Sequence, residues 1–394
     1  VMASLGRQLY NLYVVAGGTN IDNGSFSILV GCIRQLAEEE EVLVRHSSVH
    51  AFRQIIPTAT KSMVTDYIYP LWKHLAVNEL FGARYSALCV LPAIYHYCDV
   101  SFRDEVRRIG IGLAYDDSPL VRRKAGMIIH EFAEVIYQPI ARIINPVQTY
   151  PYSSFEISRD MTARKYLNLP IDEKLRQINL TYKTITISIL PTLQHYALDE
   201  RDYLRALVPQ AIAHIVPYMS LLDYRTHLVP LLFSTADDAS WKVRQTVLRF
   251  LPLLLSNLIQ RHTLQIENEI NKLLSHASVA EHREAASHLY TNPNSPLHVE
   301  NLIRVVFGLY KKIMTTDNNL EVRSVGVLIL PQIVLLLKGI IPAQVIEYNL
   351  EEDRVLKPAV ITGGRLTVDQ TKLDILSKTP YEHPRYSNAP QPYK

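Results

Sequence analysis

The sequence predicts an all-α protein of the α-solenoid class, a linear stack of helix pairs, and two observations support this. The first is a motif that recurs along the 394 residues, an acidic or polar turn followed by a helix start that carries an arginine. The second is a regular spacing close to 39 residues, with one longer gap, between Arg45, Arg84, Arg122, Arg205, Arg244, Arg283 and Arg323. Such a period is typical of two-helix repeats. We therefore expect about seven helix pairs.

Residues 227–258 show the predicted pair most clearly. An apolar first helix with Pro230 in its early part is followed by the polar turn TADDAS and by a second helix with apolar residues at spacings of three and four. Such a pair cannot cover its own apolar faces, so stacking against neighbours stabilises it. Pro70 and Pro191 fill the position of Pro230, where proline is tolerated or bends the helix. Pro92, Pro252 and Pro331 recur in predicted second helices, which they should bend.

The recurring place of the arginine within each pair makes a prediction about contacts. We expect these side chains to lie at equivalent places at the starts of second helices, each near an acid of its own turn or of the next. The arginines concerned are Arg45, Arg122, Arg205, Arg244 and Arg323. The result would be a ladder of charge pairs along the stack.

Two segments interrupt the pattern and define the predicted organisation. Repeats occupy 1–137 and 182–340, an inserted loop occupies 138–181, and an extended tail rich in proline and tyrosine occupies 341–394. The first residues fit the second helix of an incomplete pair, with Gly17-Gly18 as its stop. The same stretch has one arginine and no acid before Asp22, so it also fits a transit peptide.

Composition argues against membrane and nucleic-acid functions. The most apolar stretch, 325–342, is broken by Pro331 and Lys338 and falls where a second helix belongs, which predicts a buried core helix and no transmembrane segment. The net charge is +3, and no run of Lys or Arg supports nucleic-acid binding.

The motifs of common active sites do not occur in the sequence. There is no P-loop, no Gly-x-Ser-x-Gly elbow, no His-Glu-x-x-His and no paired Cys-x-x-Cys. His46 and His50 are spaced to share a metal, but no third ligand accompanies them. We therefore predict no catalytic, cofactor or metal site. The alternative from another class is an enzyme with its activity in the insertion. It would require His, Cys or paired carboxylates there, and the segment offers only scattered Asp160, Asp172 and Glu173.

With its repeats aligned, the chain resembles the scaffolding subunit of the type 2A serine/threonine protein phosphatase, a solenoid of HEAT repeats. Five stretches carry the resemblance in the order of that family, at 37–45, 77–87, 116–136, 197–205 and 237–244. The match covers 1–137 and 182–260, and 261–340 follows only the general HEAT pattern. The resemblance implies a HEAT solenoid with one leading half-repeat.

The resemblance also implies a partner-binding ridge, because in that family the turns within repeats hold regulatory subunits. The positions that correspond to the ridge are Glu40, Glu41, Leu80, Phe81, Asp117, Ser118, Pro119, Glu200 and Trp241. Leu80 stands where the family has tryptophan. Two alternatives remain open: the acids could only cap helices, and Trp241 could pack into a groove of the stack.

These observations predict a non-catalytic scaffold that holds other protein subunits in a larger assembly. Two versions are open: a structural subunit derived from a phosphatase-scaffold ancestor, or a working phosphatase scaffold that binds regulatory subunits. The first is favoured by the insertion, by the end of the repeats near residue 340, where the family docks its catalytic subunit, and by a net positive charge. The resemblance implies a cytoplasmic protein, and a mitochondrial location is the alternative.

Aromatic residues of the insertion and the tail are also predicted to contact partners or the protein's own helices. Tyrosine supplies contact area at low entropic cost, and a solvated loop gains little from it unless something covers the ring. The residues concerned are Tyr150, Tyr152, Phe155, Tyr381 and Tyr386.

Overall fold

The computed structural model describes residues 1–144, 169–263, 266–276 and 298–338, together with two short strands. Its contacts divide the chain into two compact units. Unit 1 includes Val1–Val135, and unit 2 is Ile136–Leu376. In both units the described residues are almost entirely helical, and consecutive helices pair and stack on their neighbours. The predicted class, an all-α solenoid of helix pairs, is confirmed.

The described part of unit 1 contains a leading helix and three pairs. In chain order these helices are α1 Met2–Val15, α2 Asn23–Glu38, α3 Val42–Ile55, α4 (61–76), α5 Phe81–Tyr97, α6 Val100–Gly112 and α7 Pro119–Ile144, the last of which extends into unit 2. Helix α1 packs on α3, and α5 contacts both α3 and α6. Gly6 permits the first of these contacts, because a Cβ there would lie 2.9 Å from the Cβ of Ser47.

Unit 2 repeats this arrangement with longer and more interrupted helices. They are α8 Ile171–Ala197, α9 (202–215), α10 (221–236), α11 Trp241–Thr263, α12 Ile266–Ser275, α13 Val299–Thr316 and α14 Leu320–Leu337. An antiparallel hairpin of β1 Ala359–Thr362 and β2 Arg365–Val368 lies in the predicted tail, with Ile361 opposite Leu366. Strands are extended chain, so this pairing is compatible with the predicted extended tail.

The first helices α4 and α10 share a feature that the sequence did not predict. Each contains a π-helical turn, Val64–Ile68 and Tyr224–Leu228, directly before the segment that carries Pro70 or Pro230. A proline inside a helix has no N–H to donate, and its ring collides with the carbonyl four residues earlier. A wider turn just upstream relieves that collision, so the bend expected at proline takes the form of a π turn.

The helices reach into the predicted insertion from both sides. Helix α7 continues through Ile144, and α8 already begins at Ile171. Buried Tyr137, Ile140 and Leu175 show that apolar burial continues into this region. The aromatic residues predicted to make contacts lie outside the described residues: Tyr150, Tyr152, Phe155, Tyr381 and Tyr386.

The order of stacking in unit 2 differs from the order expected from the arginine spacing. Helix α11 packs directly against α13 and α14, although the spacing predicted a pair containing Arg283 between them. Helix α12, which precedes Arg283, contacts α8 and α11, and Arg283 itself lies outside the described residues. Equal spacing along the chain therefore does not guarantee equal spacing in the stack.

Helix α14 corrects the prediction of a buried core helix. One of its faces is buried, through Val322, Gly326, Ile329, Ile333 and Leu337. The other face leaves large apolar residues exposed: Leu320, Val327, Leu328, Leu330, Val334 and Leu335. By length and composition α14 could cross a membrane, and no other helix in the described residues could. The prediction failed because no described element covers this second face.

Candidate partner-binding surface

A buried ion pair in unit 1 shows how the turns are held. The guanidinium of Arg84 donates from Nε and Nη2 to the two carboxylate oxygens of Asp116, at 2.5 and 2.8 Å. Its Nη1 donates to the carbonyls of Asn78 and Glu79 in its own turn, at 2.9 and 2.7 Å. The Asp116 carboxylate also accepts the Ser118 N–H at 2.8 Å. One arginine thus ties its own turn to the next, an arrangement that we call a rung.

Unit 2 contains two further rungs with the same geometry. Arg205 binds Asp238 at 2.8 and 3.0 Å, and Arg244 binds Asp317 at 2.6 and 3.2 Å. In both cases Nη1 donates to two carbonyls of the arginine's own turn. In both cases the carboxylate accepts an N–H two residues later, from Ser240 or Asn319. The predicted ladder is confirmed for Arg205 and Arg244.

Arg45 and Arg122 make the contacts to their own turns that the rung arginines make. Arg45 donates to the carbonyls of Glu39 and Glu40, both at 2.6 Å, but Asn78 occupies the place of the ladder acid and donates to Glu38 instead. Arg122 binds the carbonyls of Asp116 and Asp117 in its own turn. Arg323 is exposed, and no side-chain hydrogen bond of Arg323 is found among the described residues. The turn that would follow its helix lies outside them, so its acid partner stays a prediction.

The rung between Arg244 and Asp317 shifts the pKa values of both its members. Burial alone would raise the pKa of Asp317, but hydrogen bonds from Arg244 and from the Asn319 N–H outweigh burial and hold this pKa below its ordinary value of 3.8. The same pair raises the pKa of Arg244, chiefly through the Asp317 hydrogen bonds. Both groups are therefore charged at neutral pH, and the pairing is electrostatic as well as geometric.

The resemblance-based ridge residues of unit 1 lie at the turns that these arginines hold. Glu40, Glu41 and Asp117 are exposed, and Leu80 and Phe81 each expose 48% of their surface. Ser118 and Pro119 are half-buried at the start of α7. We call these seven residues the ridge of unit 1.

In unit 2, Glu200 and Trp241 occupy the equivalent turns. Glu200 is exposed, and Trp241 exposes 37% of its surface at the first position of α11. Trp241 therefore retains a solvent-facing surface, although packing in a groove was an alternative for it.

Sequence reasoning missed further exposed apolar residues at the same turns. They are Val42, Leu43 and Leu120 in unit 1 and Tyr203 and Leu320 in unit 2. Each lies two or three residues before its arginine, as Phe81 and Trp241 do. A position two or three residues before the repeat arginine is the sequence signal that would have identified these residues. Contiguous patches of exposed apolar side chains are typical of surfaces that bind proteins.

The structure adds no metal centre to this picture in the part of the chain that it describes. Among the described residues no group of three His, Cys, Asp or Glu side chains could hold a metal ion. His46 and His50 are exposed on α3.

The fold and the turns define a repeat protein whose helix pairs are joined by arginine rungs. Curated proteins with similar sequences are regulatory subunits of type 2A phosphatases. The human beta isoform of the serine/threonine-protein phosphatase 2A 65 kDa regulatory subunit is 32% identical over 136 residues, which is 34% of this chain and 22% of the relative. The Saccharomyces cerevisiae protein phosphatase PP2A regulatory subunit is 29% identical over 127 residues, 32% of this chain and 19% of the relative. The matched part thus spans about a fifth of the relatives' length.

A probable PP2A regulatory subunit from Caenorhabditis elegans is 28% identical over 135 residues. No protein-family model matches the chain. Similar solved structures include a designed armadillo repeat protein, with a TM-score of 0.31 and 13% identity over 64% of this chain and 92% of that one. A structure of Kap95p with RanGDP has a TM-score of 0.40 and 10% identity over 85% of this chain and 38% of that one.

Proposed function

We propose that the chain is a non-catalytic HEAT-repeat scaffold whose turns bind other protein subunits of a larger assembly. The observation that carries the proposal is the exposure of Leu80, Phe81 and Trp241 at helix starts that arginines hold in place. An exposed apolar side chain on a rigid element loses little entropy on binding, so it suits a preformed docking surface.

The charges on the ridge of unit 1 indicate the chemistry of its partner. Exposed Glu40, Glu41 and Asp117 flank the apolar pair Leu80 and Phe81. Complementary potentials favour encounter and fix the orientation of a docked protein. The partner surface that fits is therefore apolar at its centre and cationic at its rim.

The proposal is tested by changing the ridge without changing the fold. Phe81→Glu should lower the recovery of at least one co-purifying subunit by about tenfold or more, because a carboxylate would then face an apolar contact. The measurement is affinity purification of the full chain followed by quantitative mass spectrometry.

Ile28→Glu on α2 is the matched control, since Ile28 is also exposed but lies away from the ridge. The control should retain all subunits, and both variants should melt like the parent. Equal recovery of every subunit with Phe81→Glu and with the parent would contradict the proposal.

A second candidate is favoured by the similarity to phosphatase regulatory subunits. In this version the chain binds regulatory subunits of a type 2A phosphatase. The same purification separates the two versions, because recovery of a type 2A catalytic subunit in equal amount would support the phosphatase scaffold. We favour a structural subunit of another assembly, since the similarity covers about a third of the chain. The cytoplasmic or mitochondrial location stays a prediction.

A further inference from the structure

Helix α14 presents a second docking surface, separate from the turns of the ridge. Its outward side exposes Leu328 by 74%, Leu335 by 71% and Val327 by 62%. These residues follow one another at spacings of one and seven, so they form one apolar stripe along the helix. A stripe of this size on a stable helix is typical of an interaction site.

At the N-terminal end of the stripe lies an arginine without the contacts of its equivalents. Arg323 holds the rung position on α14, and its turn is already built, since Asp317 accepts the Asn319 N–H at 2.8 Å and binds Arg244. The Arg323 side chain is nevertheless exposed and makes no ion pair within the described residues. It has the position of a rung, but no described residue supplies the acid.

The same chain shows what covers a surface of this kind. Helix α11 has buried Val247, Leu248 and Leu251, and the pair α13–α14 packs against it. That pair brings Asp317, in the turn between its two helices, to Arg244. On α11, one helix pair with an acid in its turn therefore both covers the apolar side chains and pairs with the arginine.

We propose that the outward face of α14 binds a helix pair of another protein whose inter-helix turn carries an aspartate or glutamate that pairs with Arg323. The proposal goes beyond the ridge, because it concerns a different helix face and a specified partner shape. It follows from charge complementarity and from the stacking already present between α11 and α13–α14. Insertion of α14 into a bilayer would require this helix to leave α11, against which it packs.

The test places a photocrosslinking residue on the stripe of the full chain in its native cells. Leu328→p-benzoylphenylalanine should crosslink to one peptide of a different protein, in a helix pair with an acidic turn. Adding Arg323→Glu should reduce that crosslink by about tenfold or more, as expected for loss of a close charge pair across an interface. Changing the partner's acid to lysine should restore it.

Leu222→p-benzoylphenylalanine is the matched control, since Leu222 is a half-exposed leucine on α10 of the same unit. It should give no such crosslink. Crosslinks from position 328 to this chain, to a second copy or to lipid would overturn the proposal, as would no crosslink or one that Arg323→Glu leaves unchanged. A p-benzoylphenylalanine probe at position 81, tested in parallel, shows whether the ridge of unit 1 binds a partner even when position 328 does not.

Discussion

Helices α5 and α14 are similar in length and both are rich in apolar residues, but their surroundings are very different. Both are second helices of a pair, and each carries a proline, Pro92 or Pro331, in its interior. Helix α5 contacts α3 and α6 and buries twelve of its residues, whereas α14 contacts α11 and α13 and buries five. Burial in a stack of repeats is therefore decided by neighbours on both sides, and an apolar sequence alone does not predict it.

The comparison predicts the largest difference at the rung arginines. Arg84→Ala should lower the free energy of unfolding of unit 1 by about 3–5 kcal/mol, because it leaves the buried carboxylate of Asp116 unpaired. Arg323→Ala should change stability by at most about 0.5 kcal/mol, since its side chain is exposed.

The unfolding of each unit in urea can be followed by tryptophan fluorescence, because the chain has two tryptophans and each lies in a different unit. In a Trp241→Phe background the fluorescence of buried Trp72 reports unit 1. The unfolding of the Arg323→Ala variant is followed by circular dichroism. A loss below about 1 kcal/mol for Arg84→Ala would mean that the rung is not a main support of unit 1.

The next largest difference concerns apolar side chains. Leu88 on α5 is fully buried, so Leu88→Ala should cost about 2–4 kcal/mol through lost burial and the cavity left behind. Leu328→Ala on α14 should cost less than about 0.5 kcal/mol, because Leu328 is already in solvent. Thermal melting of both variants beside the parent gives the comparison, and similar losses would show that α14 is covered in solution.

The smallest expected effect is the pH dependence of the rung that holds α14. Because Arg244 lowers the folded-state pKa of Asp317 below 3.8, the pair contributes stability above that value and loses it as pH falls through the folded-state pKa. Asp317→Asn should therefore cost about 1–2 kcal/mol at pH 7, and this cost should shrink below about pH 4. Urea titrations at several pH values measure it, and a cost that does not vary with pH would show that the carboxylate charge is unimportant.

Much of the fold follows from the arginine period and from the apolar spacing. Together they predict the helix pairs and the placing of Arg205 and Arg244 at the starts of second helices. They do not predict that α13 and α14 stack on α11, because period reports distance along the chain while stacking depends on which faces fit. The π turns before Pro70 and Pro230 also escaped, since they depend on hydrogen-bond geometry around the proline ring.

The candidate surface was predictable in position but not in extent. The resemblance implied Phe81 and Trp241, and the structure adds Val42, Leu120 and Tyr203, which also lie two or three residues before their arginines. Arg45 has no carboxylate partner among the described residues because Asn78 stands at the position of the ladder acid. The Asn78 amide donates to Glu38 instead. A single residue type in a repeat thus changes a contact that the repeat pattern alone would assign.

Each rung carboxylate accepts hydrogen bonds from two places at once, and this couples neighbouring turns. Asp116 accepts an N–H of its own turn and at the same time the guanidinium of the preceding pair. The geometry of a turn and the position of the preceding pair are therefore coupled through one carboxylate. At Asn78 the guanidinium of Arg45 takes no part in this coupling, and the pairs on either side are joined by other contacts, among them the Asn78 amide on Glu38 and the Ser86 hydroxyl on the Ala37 carbonyl.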